Sequence, residues 1–287
     1  MPGPGDNSCL VLPFPYVPTL GPVHPDALTA RLWDEVMEVN GTGSFLAHDK
    51  DARWGGTKNE TVLADAIRNE GETVTVPTLT TRGRGVVKVH HYGPTPDVAQ
   101  ALEEAGKLAA AYDAGAARVL WFSTEADTRW HSCRVQLKTF TGNESYTHGE
   151  VESLHTETPA VQDTFAVFAQ ALKGDGFSFL AEQMRTTGLD GPLLVAVSEG
   201  RVVGAIGPMA IRQDSIGVPR LLPQYFGVLP EVRGHGHGRA LWRAAMGWGQ
   251  ENGAVYQLLQ TETGGASDHL CRSEGLTSLG FVFTASL

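Results

Sequence analysis

The chain has 287 residues and a formal charge of −10, from 22 Lys+Arg against 32 Asp+Glu, a balance that argues against general binding to a phosphate backbone. At 41% hydrophobic and 19% charged residues it can build ordinary packed cores, as two modest domains or one large one, and it has no apolar run long enough for a membrane span. Cys9, Cys133 and Cys271 are too few and too scattered for a disulfide framework or a zinc site, which makes the cytoplasm the expected compartment.

In chain order, residues 1–8 read as a flexible lead-in without the basic start of a signal peptide. Apolar spacing predicts a helix over 28–39 and a second, short one over 61–69. Arg82-Gly83-Arg84 is a small basic spot, read as a solvated turn. Gly-Val-Val-Lys-Val-His-His-Tyr over 85–92 is a β-branched, alternating strand. Pro94 and Pro96 break it, and an amphipathic helix follows over 97–113. A buried strand over 118–123 comes next. Residues 141–159 are polar and turn-rich and mark a boundary. Amphipathic helices are expected over 161–172 and 177–186. Strands follow over 193–197, 201–211 and 221–228, then a helix over 238–252, a strand over 255–261, a short helix over 267–273 and a closing strand over 279–284.

The stretch Val228-Leu229-Pro230-Glu231-Val232-Arg233-Gly234-His235-Gly236-His237-Gly238 joins a predicted strand to a predicted helix. Its three closely spaced glycines allow a sharp turn that leaves several amides facing one way. Orphan amides and the helix dipole both favour an anion there, which predicts a phosphate or pyrophosphate ligand. Arg233 adds a positive charge. The dinucleotide fingerprint fails because no glycine stands at its third position, and the P-loop fails because Arg239-Ala240 replaces Lys-Ser/Thr. A glycine turn without a ligand is the bland alternative.

Arg-x-x-Gly-x-Gly (Arg233, Gly236, Gly238), with Val-x-Pro just upstream (Val228, Pro230), resembles the acyl-coenzyme A loop of the GCN5-related N-acetyltransferases. The resemblance covers 192–287 well and extends towards 159. The N-terminal half repeats the strand–helix–strand rhythm, and Ala114-Gly115-Ala116 matches Asn252-Gly253-Ala254 after each helix. This implies an α/β (α+β) fold of two tandem domains, each a mixed twisted sheet flanked by helices. The domains are placed at 9–150 and 156–287. The first lacks Arg-x-x-Gly-x-Gly, and its prolines remove amide donors where phosphate needs them. It is therefore expected to pack and shape the cleft rather than bind coenzyme.

The resemblance implies an acetyl-coenzyme A-dependent N-acyltransferase, with acetyl-coenzyme A as co-substrate, no metal, and a small-molecule amine as acceptor. A secondary metabolite or antibiotic is among the candidate acceptors. The protein is expected to be a monomer or homodimer without membrane or general nucleic-acid partners. The coenzyme contacts fall on Phe226, Gly227, Val228, Arg233, Gly234, His235, Gly236, His237, Gly238 and Arg239. In this family an amide of the fourth strand faces the thioester carbonyl, which assigns the oxyanion donor to Phe226, Gly227 or Val228. Gly227 reads either as an approach point for ligand or as a bulge.

Gln224 stands near the family's usual glutamate base; it can orient a water but cannot take a proton. Cys271 stands where the family's tyrosine acid is found, and Gly264 replaces an asparagine seven residues earlier; a packed thiol is the alternative for Cys271. Tyr225 is a candidate for lining the substrate cleft, with core packing as the alternative. Glu231 reads as a solvated turn residue, and His91 and His148 as bases that the first domain could lend. A non-catalytic acyl-coenzyme A sensor, or a transferase using another acyl or aminoacyl donor, is the rival reading.

Overall fold

The computed structural model describes residues 11–142, 144–146, 149 and 151–287; the expected lead-in over 1–8, Cys9 and His148 lie outside them. In chain order the elements are β1 (Tyr16–Val17), β2 (Gly21–Pro22), α1 (Ala30–Glu38), β3 (Glu60–Val62), β4 (Arg68–Glu70), β5 (Thr73–Thr80), β6 (Val86–Tyr92), α2 (Val98–Ala111), β7 (Ala116–Ser123) and β8 (Ser132–Thr139). Then come β9 (Val151–Ser153), α3 (Pro159–Ala171), α4 (Phe177–Thr186), β10 (Leu194–Ser198), β11 (Arg201–Gly207), β12 (Ile211–Gln213), β13 (Pro219–Leu221), β14 (Tyr225–Val228), α5 (His237–Glu251), β15 (Tyr256–Glu262), α6 (Ala266–Ser273) and β16 (Thr277–Ser286). This is the mixed α/β architecture expected, and no helix among the described residues is long and apolar enough to cross a membrane.

The compact units do not follow a single cut near residue 150. The first joins the chain up to Lys138 to Asp214–Ile216 and Leu258–Leu287; the second is Thr139–Gln213 with Gly217–Gln257. The reason is the pairing of β16. This predicted closing strand lies antiparallel between β7 and β8, with Phe283 opposite Trp121 on one side and Ser132 on the other. Its unbroken buried run from Gly280 to Phe283 suits a central strand covered on both faces, and Phe281 and Phe283 join Val87, Val119 and Trp121 in the core beneath α2.

In the first unit, β5 and β6 are antiparallel, and β6 and β7 run parallel from Val86↔Ala116 to His91↔Trp121 with α2 as the crossover. Residues 61–69 are not the helix that their apolar spacing predicts. β3 instead pairs with β5, Thr61 opposite Leu79, and the Asn40 side chain brackets Val62, accepting from its N–H at 2.7 Å and donating to its C=O at 2.9 Å. Tertiary pairing overrides a short local preference here. β5 and β8 were not anticipated from sequence.

Asp268 ties α6 to β8. Its carboxylate accepts from Arg134 Nε at 2.8 Å and from the Gly264 amide at 3.0 Å. Burial alone would raise its pKa, but the Arg134 and Gly264 hydrogen bonds and the nearby arginines hold it below the usual carboxylate value.

On the opposite sheet face, His90 is buried and its Nδ1–H donates to the Val76 carbonyl at 3.0 Å. Burial disfavours the imidazolium and lowers its pKa to about 4, against the pull of Glu60. The unfolded chain then binds a proton through pH 6.5 that the folded chain refuses until about pH 4. Unfolding free energy should therefore fall across this window as pH drops, by roughly 3 kcal/mol at most. Urea titrations from pH 7 to about pH 4 on the native chain and on His90→Gln check this; both lose the contribution of the depressed carboxylates, and the native curve should fall further, by the His90 contribution.

The second unit carries a four-stranded antiparallel sheet in the order β14-β11-β10-β9. α3 and α4 pack Phe165, Phe168, Phe177 and Leu180 into its core, with the Phe168 and Phe177 rings edge to face at 5.0 Å. α5 presents Leu241, Trp242, Ala245, Met246 and Gly249 at helical spacing. Gly204 on β11 admits this helix, because a Cβ there would stand 2.8 Å from a methyl of Leu241.

Candidate active site

The predicted strand over 221–228 is two strands. β13 pairs with β12 and, in parallel, with the start of β15, as Arg220↔Tyr256 and Leu221↔Gln257. Pro223 has no N–H to extend that ladder. After Gln224 the chain resumes as β14, which pairs only with β11, from Gly207↔Tyr225 to Gly204↔Val228. β14 is thus the edge of its sheet.

Alternation along the ladder fixes which groups face outward. The Leu229 amide donates to Val203 at 2.9 Å, which makes Leu229 and Val203 a hydrogen-bonded pair. In antiparallel pairing the same type recurs every second residue, so Gly227 and Tyr225 also turn their amides towards β11. Phe226 and Val228 turn theirs to the open edge. The Val228 carbonyl on that edge accepts from Arg233 Nε at 3.1 Å. Of the three residues expected to supply an oxyanion amide, geometry therefore retains Phe226 and Val228 and removes Gly227.

Gly227 has a different reason to be glycine. It is neither bulged nor open: it pairs in register with Ala205, and a Cβ there would lie 2.8 Å from both Leu172 and Phe177. Its missing side chain admits the α3–α4 corner rather than a ligand. Tyr225 is half-buried, and its ring fills the space where a Cβ on Gly176 would be, at 2.4 Å. It sits near Phe177 and Phe179, with centroids 6.2 and 6.3 Å away.

The glycine loop has the conformation the anion reading requires. Pro230–Val232 forms one 3-10 turn, and Gly234 and Gly236 take φ of +85° and +88°, the left-handed region that strains any other residue. Gly236 is the N-cap of α5, and its carbonyl accepts from Ala240 at 3.0 Å. The amides of Gly234, His235, Gly236, His237 and Gly238 find no backbone acceptor among the described residues. His235 folds back on the loop, its ring nitrogen 3.1 Å from the Val232 carbonyl, and is exposed. His237 and Gly238 open the helix, and Arg239 follows on its exposed side. Gly238 rests on Phe226 and Val228, so the first turn of α5 is seated on β14. Edge strand and amide nest form one continuous surface, with Arg233 anchoring between them.

Gln224 is half-buried at the point where the chain leaves the β13–β15 ladder. Its Nε2 donates to the Leu222 carbonyl, and its Oε1 accepts from Gln257 Nε2 at 2.7 Å. Gln257 was missed in the sequence, although a wholly buried glutamine within the apolar run Tyr-Gln-Leu-Leu is an anomaly that could have marked it.

Cys271 belongs to the first unit and is buried. Burial, reinforced by the Asp268 carboxylate, pushes its thiol up to about 12. That is the setting of a packed thiol. Glu231 is exposed in the 3-10 turn, and His91 hydrogen-bonds the Pro94 carbonyl at 2.8 Å. Among the described residues no group of three or more His, Cys, Asp or Glu could hold a metal ion.

The corresponding crossover of the first unit lacks both features. β6 and β7 are hydrogen-bonded directly over six residue pairs, which leaves no open edge between them. The N-terminus of α2 is closed by its own carboxylate, Asp97 accepting from Ala99 and Gln100 at 3.1 and 3.2 Å. A carboxylate there satisfies the amides and repels an anion.

Residues 159–272 match the family model described as acetyltransferase (GNAT) family. No curated protein matches in sequence. Similar solved structures include a GCN5-related N-acetyltransferase from Sphaerobacter thermophilus, at 13% identity over 88% of this chain and 93% of that one, with a TM-score of 0.48. A GNAT-family acetyltransferase from Colwellia psychrerythraea is 12% identical over 89% and 96%, with a TM-score of 0.49. A tandem GNAT protein from the clavulanic acid biosynthesis pathway is 13% identical over 88% and 93%, with a TM-score of 0.45.

Replacing Gly227 with Ala should destabilise the chain by about 1–3 kcal/mol, because Leu172 and Phe177 are buried and must shift. Urea unfolding of Gly227→Ala against the native chain measures this; an unchanged midpoint would mean that the corner yields freely.

Proposed function

The chain carries a domain of the acetyltransferase (GNAT) family over residues 159–272, and we propose that it transfers an acetyl or related acyl group from acyl-coenzyme A to the amine of a small molecule. One observation carries this reading: an edge strand and an amide nest at a helix N-terminus share one surface. The nest, with Arg233, suits the pyrophosphate. The open-edge amides and carbonyls of Phe226 and Val228 suit pantetheine pairing and an oxyanion donor. Holding both reactants side by side supplies much of the remaining rate enhancement. Transfer is direct, without an acyl-enzyme. Acceptors from secondary metabolism and a cytoplasmic setting, as monomer or homodimer, belong to the same reading.

A second reading has a specific observation behind it. No carboxylate stands on 219–228, and Cys271 is packed. An acyl-coenzyme A sensor without catalysis, or a transferase with another donor, would fit both facts. Thiol release on a panel of amines separates catalysis from sensing.

Calorimetric titration with acetyl-coenzyme A should find one site per chain. Gly236→Val should lower affinity at least about tenfold while leaving the circular dichroism spectrum intact, since open space surrounds Gly236 and only its φ is strained, by about 1–2 kcal/mol. Unchanged affinity would remove the loop as the phosphate site, and two sites would restore a coenzyme role to the first unit.

A further inference from the structure

The two glutamines carry a consequence for the acceptor. The Leu222 carbonyl can only accept, so the Gln224 atom against it is the NH2 group. Gln224 Oε1 then faces Gln257, whose contacting atom must also be NH2. The hydrogen bonds run one way, from Gln257 to Gln224 to the Leu222 carbonyl. Gln257 Oε1 is left buried without a partner, a cost that makes the arrangement a poor choice for stability alone. One side of the Gln224 amide is locked, and its second lone pair and second N–H stay uncommitted on a half-buried side chain.

A glutamate at this position would set an oxygen against the Leu222 carbonyl oxygen. The site therefore selects an amide and rejects a carboxylate base at position 224.

Resting on the transferase reading above, we propose that Gln224 holds the acceptor nitrogen by accepting one of its N–H groups, that Gln257 positions Gln224, and that the acceptor is an amine with a substantial free-base fraction near pH 7.5. An amide orients a nucleophile but takes no proton. In the step, the nitrogen lone pair attacks the thioester carbonyl carbon, the C–N bond forms and the C–S bond breaks. The surplus proton leaves nitrogen for the departing thiolate, so a neutral amine and a thioester give an amide and a thiol. At pH 7.5 an α-amine with pKa ≈ 7.7–8.0 is about a third free base, whereas a lysine-type amine near 10.4 is free in about one molecule per thousand. The class is therefore peptide-type α-amines, whose amino group stands next to an amide carbonyl, and aryl amines, not alkyl ammonium groups.

The test uses the full chain, acetyl-coenzyme A and small α-amines, aryl amines and alkyl amines, with thiol release followed from about pH 6 to 10. The expected kcat/KM, per total amine, rises with pH only through the acceptor's own pKa and shows no enzyme ionisation. Gln257→Leu should lower kcat about tenfold with the acetyl-coenzyme A affinity unchanged. Gln224→Glu should lose activity and gain an ionisation in the profile. Four outcomes would overturn the proposal: preference for alkyl amines, an enzyme-borne limb between about pH 6 and 8, acetyl-coenzyme A binding without turnover of any class, or Gln257→Leu within twofold of native. Failure to bind acetyl-coenzyme A would instead refute the transferase reading itself.

Discussion

The break at Leu222-Pro223-Gln224 is the constraint on which the site depends. Upstream, the chain is committed to β15 through Arg220↔Tyr256 and Leu221↔Gln257. Downstream, it is committed to β11 through four residue pairs. A strand cannot serve both neighbours over its whole length and still offer a bare edge. Proline supplies the interruption because it cannot donate to the next rung. The Leu222 amide is absorbed by the Ala210 carbonyl at 2.9 Å, and the Leu222 carbonyl by Gln224. The backbone groups left by the interruption are thus paired locally, as buried groups must be, and the open edge begins only at β14.

The first unit shows what the same rhythm yields without that break. Val86–Tyr92 runs uninterrupted, so its carbonyls and amides meet β7 directly. Asp97 then closes the helix that follows. The prolines at 94 and 96 account for part of this difference, since they remove donors from the turn. The pairing of β6 with β7 and the Asp97 cap account for the rest. The outcome is a sheet that takes β16 as a central strand between β7 and β8.

Much of the architecture was legible in the sequence, for identifiable reasons. The helices α2, α3, α4 and α5 have regular apolar spacing and clear ends. The glycine loop announced itself because left-handed backbone at Gly234 and Gly236 needs glycine. The helix expected over 61–69 failed because three-residue strands are decided by their partners, here β5 and the Asn40 side chain. The destination of β16 was hidden for the same reason: alternation predicts a strand but not which neighbours receive it. Within the site, Gly227 was misread because a glycine's sequence context cannot tell a ligand from Leu172 and Phe177. Gln224 was found by its place in the strand, whereas Gln257 lies 33 residues on and is joined to it only by folding.

Under the proposed coenzyme reading, nest and edge divide the work of recognition unequally. Phe226 and Val228, whose amides face the open edge, are half-buried residues, and a hydrogen bond from such an amide to a ligand exchanges with water and nets only about 0.5–1.5 kcal/mol. The loop amides, by contrast, converge at a helix N-terminus beside the Arg233 guanidinium, where bonds to an ionised partner are roughly twice as strong. Affinity therefore resides in the phosphate end and orientation in the strand end. On the proposed reading, this division lets a site bind coenzyme through its phosphate end while its chemical end differs from the family pattern at Gln224. On that reading the locked amide at Gln224, and not the nest, sets which nitrogen can react.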